Sequence, residues 1–156
     1  MLFRSRLLDK AVYKEFKNAV NEIADSPQGG FTSQDELRTF IRDWADGKEL
    51  EYTEDKAGNI IFDRNAVKRK RNVAPTLICV NMNYETAADN AGLLACAAAV
   101  AYADLDSSRK TVVFVNNEQD LAEGYRGLSS KYLSDKSKVI YLDAGSSSYQ
   151  IGRAHV

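Results

Sequence analysis

The sequence predicts an α/β fold of three layers, with a largely parallel or mixed sheet that carries helices on both faces. Two observations lead to this prediction. Short apolar runs with the composition of strands alternate with helix-like segments in the second half of the chain, and two amphipathic segments and a hairpin precede them. At 156 residues the chain has the size of one domain. We therefore expect a single domain over residues 1–156.

Two amphipathic helices open the predicted fold. The first runs from about Leu7 to Ala24, because apolar residues recur there at spacings of three and four. The second begins after Ser33, which forms a capping-box pattern with Glu36, and it ends near Gly47. Its apolar face consists of Leu37, Phe40, Ile41 and Trp44. We expect both helices to bury their apolar faces in the core.

A hairpin and a regular alternation of strands and helices follow. The strand-like runs 49–54 and 59–63 flank a turn at residues 55–58. The later predicted strands are Thr76–Val80, Thr111–Val115 and Val139–Leu142, and the predicted helices are Ala88–Ala103 and Leu121–Leu133. Strands that alternate with helices usually pair in parallel, so the helices cover both faces of the sheet.

The composition is that of an ordinary soluble globular protein, with 44% hydrophobic residues, 28% charged residues and a formal net charge of -1. The longest apolar run, Ala91–Ala103, is shorter than the ~20 residues that a membrane-spanning helix needs. The basic run Lys68–Arg71 is interpreted as a solvated loop. The early charges at Asp9 and Lys10 are incompatible with a secretory leader. We expect a cytoplasmic protein with no nucleic-acid partner and no membrane partner.

Cysteine and histidine, which often carry catalytic or metal chemistry, are scarce. Cys79 and Cys96 each lie in an apolar stretch, where a thiol usually packs as a small hydrophobic group. Both are therefore predicted to be reduced residues of the core. The sole histidine, His155, is interpreted as solvated, because a metal ligand must be held rigidly by its neighbours.

Several short blocks occur in an order that is typical of one enzyme family, and most of them stand at the end of a predicted strand or the start of a helix. The blocks, in chain order, are Ile41–Ala45, Tyr52–Ile61, Asn81–Asn83, Ala87–Ala91, Val113–Glu118, Tyr141–Asp143 and Tyr149–Gly152. In these blocks, from about residue 20 to residue 156, the chain resembles the front part of the catalytic domain of aminoacyl-histidine dipeptidases, which are zinc exopeptidases.

The resemblance implies a catalytic domain with two zinc ions, a bridging aspartate, a bridging water and a glutamate that acts as general base. Two neighbouring cations lower the pKa of a shared water and polarise the peptide carbonyl. Asp89 matches the bridging aspartate of the family, and Glu118 and Asp143 match two further metal ligands. These three acids are the candidate metal ligands of this chain.

Other positions of the family's metal site carry amides. Asn81 and Asn83 occupy the family's His-x-Asp positions, and Asn117 occupies the general-base position. An amide oxygen is neutral and a weak donor to zinc, and an amide cannot accept a proton from water near neutral pH. The resemblance also implies that the family's last metal histidine and its lid or dimerisation domain are missing from the chain.

We therefore expect a degenerate metallopeptidase-like domain that is catalytically inactive, holds no cofactor, and has a binding or assembly role. The alternative is a metal-dependent exopeptidase, a dipeptidase, which a missing C-terminal portion or a partner chain completes and which binds a divalent metal such as zinc or manganese. Asp89 also has a purely structural interpretation as a helix N-cap. Self-association or a partner chain is expected, because a sheet that stops early leaves an open edge.

Overall fold

The computed structural model describes residues 2–64, 76–103, 109–117, 123–132 and 138–143. Four residues or runs named above lie wholly outside these ranges, namely the basic run Lys68–Arg71, the candidate ligand Glu118, the block Tyr149–Gly152 and the histidine His155. In the part of the chain that is described, no helix has both the length and the apolar character needed to cross a membrane.

The described residues form four α-helices, five strands and two short 3₁₀ turns. The helices are α1 (Leu2–Ala24), α2 (Gln34–Gly47), α3 (Ala91–Tyr102) and α4 (Glu123–Gly127). The strands are β1 (Thr53–Glu54), β2 (Ile60–Asp63), β3 (Thr76–Met82), β4 (Lys110–Asn116) and β5 (Lys138–Leu142). The 3₁₀ turns span Tyr84–Thr86 and Ser130–Tyr132.

The strands form one mixed sheet in the order β1-β2-β4-β3-β5. The hairpin strands β1 and β2 are antiparallel to each other, and β2 is antiparallel to β4. In contrast, β3 lies between β4 and β5 and is parallel to both. The predicted mixed α/β class is therefore confirmed.

Side chains alternate along the central strands between two apolar cores, one on each face of the sheet. On β4, Val112 and Phe114 belong to the first core, and Val113 and Val115 belong to the second. The first core is covered by α1, α2 and α3, whose fully buried side chains include Phe16. Tyr125 and Leu128 of the α4 region, together with Tyr132, pack on the second core. Helices therefore lie on both faces, as predicted.

The start of α2 follows the predicted capping box with one difference. The hydroxyl of Ser33 accepts a hydrogen bond from the amide of Glu36 at 3.1 Å, as expected of an N-cap. The carboxylate of Glu36, however, accepts hydrogen bonds from the backbone amide and the hydroxyl of Thr32, at 2.6 and 2.7 Å. These bonds from Thr32 lower the pKa of Glu36.

The start of α3 and the surroundings of Cys96 differ from the prediction. The helix begins at Ala91 with Asn90 as its N-cap, and not at Ala88, because the 3₁₀ turn Tyr84–Thr86 and a further turn occupy the residues before it. Cys96 lies on the exposed side of α3, so its prediction as a core residue is wrong, whereas the prediction for Cys79 is confirmed by its burial.

The hairpin and α4 are also shorter than predicted. The first hairpin strand is limited to Thr53–Glu54, and the helix predicted over 121–133 consists, in its described part, of α4 and the 3₁₀ turn at Ser130–Tyr132. Both segments keep their predicted place in the order of elements. Their short length means that tertiary contacts, and not helix or strand propensity, hold them in position.

Candidate functional site

The carboxyl ends of β3 and β4 mark the place where an α/β sheet usually binds its ligands. The chain leaves β3 towards α3, which packs on the first core, and it leaves β4 towards α4, which packs on the second core. The two connections diverge, and a crevice at such a point is the common site of ligands in this class of fold. Asn81, Asn83 and Asn117 stand at these two strand ends.

The three amides at the predicted ligand and base positions contact one another. The side-chain amide of Asn117 donates to the side-chain oxygen of Asn81, and these two residues are only 4% and 8% exposed. Asn83 donates from Nδ2 to the carbonyl of Asn117 at 3.2 Å, and its Oδ1 accepts from the amide of Glu85 at 2.8 Å. The structure thus places these three residues together in a hydrogen-bonded cluster, which we call the amide cluster.

Gln34 joins the first turn of α2 to both strand ends. Its side-chain nitrogen donates to the carbonyl of Met82 and to Oδ1 of Asn116, the latter at 2.7 Å. Its side-chain oxygen accepts from the amide of Tyr84 at 2.9 Å. Gln34 is 1% exposed, so these bonds satisfy a polar group that would be costly to bury alone.

Asn59 has the same role on the hairpin side. Asp55 begins the hairpin loop, and its carboxylate accepts from the amides of Ala57 and Asn59, each at 3.0 Å. The side chain of Asn59 continues to the end of β4, where its oxygen accepts from the amide of Asn116 at 2.8 Å. Sequence reasoning missed both Gln34 and Asn59; the Asp55 and Asn59 pair around a glycine was the available signal for the second.

The two described acids of the predicted metal site have different positions. Asp89 is exposed in the turn before α3, and the N-cap is Asn90, so the alternative interpretation of Asp89 as an N-cap is wrong. Asp143 is exposed directly after β5; because Leu142 pairs with Val80, it lies at the level of Asn81 in the sheet.

The described residues do not fit a zinc ion. Zinc in proteins takes thiolate, imidazole and carboxylate ligands, and the clustered groups are neutral amides that bind one another. Within the described ranges, no three His, Cys, Asp or Glu side chains lie close enough together to hold a metal ion. We therefore derive no catalytic step through a metal from these residues.

Beside the amide cluster, on the face that α4 covers, lie a thiol and two phenols. Burial raises the pKa of the Cys79 thiol to about 12. Burial also raises the pKa of Tyr125, and the neighbouring Cys79, Tyr141 and Asp143 raise it further. The rings of Tyr125 and Tyr141 pack edge to face with their centres 5.6 Å apart. At neutral pH Cys79 and Tyr125 are therefore protonated, so neither is an activated nucleophile.

Comparison with known proteins assigns no family to the chain. No protein-family model matches it, and no curated protein matches it. The likeness to aminoacyl-histidine dipeptidases therefore stays a prediction from the residue blocks.

Proposed function

We propose that the chain is a degenerate metallopeptidase-like domain, of the zinc-exopeptidase type, that does not catalyse hydrolysis and serves in binding or assembly. The observation that carries this proposal is the buried hydrogen bond between Asn81 and Asn117. By the resemblance, one of these residues stands at a metal-ligand position and the other at the position of the general base.

The chemistry of the amide cluster supports the inactive interpretation. An amide nitrogen does not take up a proton near neutral pH, so Asn117 cannot activate water as a glutamate does, and that step typically contributes about 10²- to 10⁴-fold to the rate. A cation at this place would have to break the hydrogen bond from Asn117 to Asn81, and the amide cluster would offer it only neutral oxygens in return. The hydrogen bond between the side chains of Asn117 and Asn81 and a metal ion would compete for the same atoms. The hydrogen bond is already formed in the structure.

The strand β5, which lies at one edge of the sheet that the described strands form, supports a role in assembly. Among the residues whose side-chain burial is described, which begin at position 10, the exposed large hydrophobic side chains are Ile140 and Tyr141, at 37% and 45%. They are consecutive in a strand, so they point to opposite faces of the sheet. Exposed apolar groups on a sheet edge are commonly covered by another chain or segment.

A second candidate function is a metal-dependent exopeptidase that is completed by further residues. Its support is that Asp143 directly follows Leu142, which pairs with Val80, and that Asp89 is exposed in the turn before α3. Carboxylates without imidazole would favour a hard divalent cation such as manganese over zinc.

One experiment tests the first candidate against an exopeptidase that is active in the chain itself. The purified chain is incubated with Xaa-His dipeptides in the presence of zinc or manganese, beside an Asp89→Ala variant of equal stability. The proposal predicts no cleavage above the level of the variant. Metal-dependent cleavage that Asp89→Ala abolishes would reject it in favour of the exopeptidase. Sedimentation of the same samples tests the assembly role, which predicts species larger than a monomer.

A further inference from the structure

The short helix α4 packs against the end of β4 and against the hairpin loop. At two of its positions, Gly124 and Gly127, these contacts leave no space for a side chain. A Cβ on Gly124 would clash with the carbonyl oxygen of Asn116 and would lie 2.6 Å from Cγ1 of Val115. A Cβ on Gly127 would clash with the Cβ of Ala57. Only glycine allows backbone to approach this closely, so the two glycines define how α4 is seated.

One buried side chain connects the hairpin loop, the end of β4 and the beginning of α4. Asn59 is 0% exposed. Its oxygen accepts from the amide of Asn116, and its nitrogen donates to the carbonyl of Gly124 and to the carboxylate of Asp55, each at 2.8 Å. Loss of this side chain would leave buried polar groups of two other segments without these bonds.

The surface beneath α4 is apolar and contains a thiol. Tyr125 and Leu128 pack over the second core, where Cys79 is 1% exposed. A helix of this length is unstable by itself, so its contacts with the hairpin loop and β4 keep it over this core.

We propose that Asn59 is a latch that holds α4 over the second core, and that α4 opens locally, exposing Cys79 while the rest of the protein stays folded. Local openings of this kind occur in segments with few buried contacts and cost less free energy than global unfolding. This inference goes beyond the proposed function and does not depend on it.

The first test is the rate at which each cysteine of the wild-type chain reacts with iodoacetamide at increasing urea below the unfolding transition, measured by peptide mass spectrometry. Cys96 is exposed on α3 and serves as the internal reference. The proposal predicts slow labelling of Cys79 with little dependence on urea, because a local opening exposes little surface. Labelling of Cys79 that rises with urea along the full slope of global unfolding would overturn it.

The second test compares Asn59→Ala with Asn90→Ala. Asn90 is also buried, at 4% exposed, but it lies at the start of α3, on the other face of the sheet from α4, and donates to the hydroxyl of Thr86 at 3.1 Å. We expect Asn59→Ala to accelerate labelling of Cys79 roughly 10- to 100-fold, with Cys96 unchanged, and Asn90→Ala to leave both rates in low urea unchanged. Equal acceleration in both variants would mean general destabilisation and would overturn the latch.

A third variant covers the case in which Asn59→Ala does not fold. Asn59→Asp keeps the shape of the side chain and the oxygen that accepts from Asn116, but it removes the donor to Gly124 and places a carboxylate against Asp55. It is expected to accelerate labelling of Cys79 in the same direction. Unchanged labelling of Cys79 in this variant would contradict the latch, and the wild-type urea series decides the question independently of any variant.

Discussion

Replacing Gly124 by alanine tests the close seating of α4 most sharply. The added Cβ would clash with the carbonyl oxygen of Asn116 and would lie 2.9 Å from Oδ1 of Asn59, so the helix must shift. Overpacking of this kind costs about 1–3 kcal/mol, and the lost bond from Asn59 to Gly124 costs about 1 kcal/mol more. The better helix propensity of alanine offsets up to ~1 kcal/mol of this loss in stability. We expect a net loss of about 2 kcal/mol in the free energy of unfolding.

Gly92→Ala is the matched control for Gly124→Ala. Gly92 lies inside α3, and the nearest atom to an added Cβ is the hydroxyl oxygen of Tyr13, at an ordinary contact distance of 3.8 Å. The same substitution should therefore stabilise the protein by up to ~1 kcal/mol.

Urea denaturation followed by fluorescence gives both free energies. Trp44 is the single tryptophan and packs on Phe16 in the first core, away from α4, so its emission reports global unfolding. In thermal melts the Gly124→Ala loss corresponds to a fall in Tm of roughly 4–8 °C for a domain of this size. A shift of the same sign and size for Gly124→Ala and Gly92→Ala would refute the description of α4.

Three further predictions concern the amide cluster, the buried thiol and the cap of α2. The double variant Asn81→Asp with Asn117→Asp places two carboxyl groups at hydrogen-bonding distance, so their pKa values in the folded state rise. Stability should therefore be lost as pH rises, and it should recover at acidic pH or with added manganese. The midpoints of urea denaturation measure this change. Burial raises the pKa of Cys79 from 9.0 to about 12, so the contribution of the protonated thiol to the free energy of unfolding is complete below about pH 9 and declines as pH rises towards 12. Cys79→Ala should flatten this decline of stability with pH. Equal slopes of stability against pH in the two proteins would contradict the burial of the thiol. Ser33→Ala should cost about 1 kcal/mol, because it removes the hydroxyl that accepts from Glu36; a change below the error of a urea titration would show that the cap is dispensable.

Much of the fold could be predicted from the sequence because its signals are local. The three- and four-residue spacing located α1 and α2, and the apolar runs located β3, β4 and β5. The start of α3 was missed because Asn83 caps a 3₁₀ turn over Tyr84–Thr86, and this cap depends on a hydrogen bond that the side-chain oxygen of Asn83 accepts from the amide of Glu85. The exposure of Cys96 was missed because α3 is apolar around its whole circumference, so its composition does not indicate which side faces solvent.

The candidate site was predicted in part. The resemblance implies that Asn81, Asn83 and Asn117 belong to one site, and in the structure they lie at the ends of two parallel strands, which meet at one edge of the sheet. The sequence could not show that these amides bind one another, because that depends on the geometry of side chains that are 36 positions apart along the chain, as Asn81 and Asn117 are. Gln34 was missed for the same reason, because only the tertiary fold places it between segments; for Asn59 the sequence offered only the local signal of Asp55 and a glycine, which does not show its bond to Asn116.

Titration calorimetry of the chelator-treated chain with zinc, manganese and magnesium, repeated on Asp89→Ala, tests the central claim most directly. The claim is that the amide cluster has replaced a metal centre. We expect no heat of binding beyond dilution for any of the three ions, in either protein. Tight binding by the wild-type chain that Asp89→Ala abolishes would contradict the claim and would establish the exopeptidase alternative as the better account.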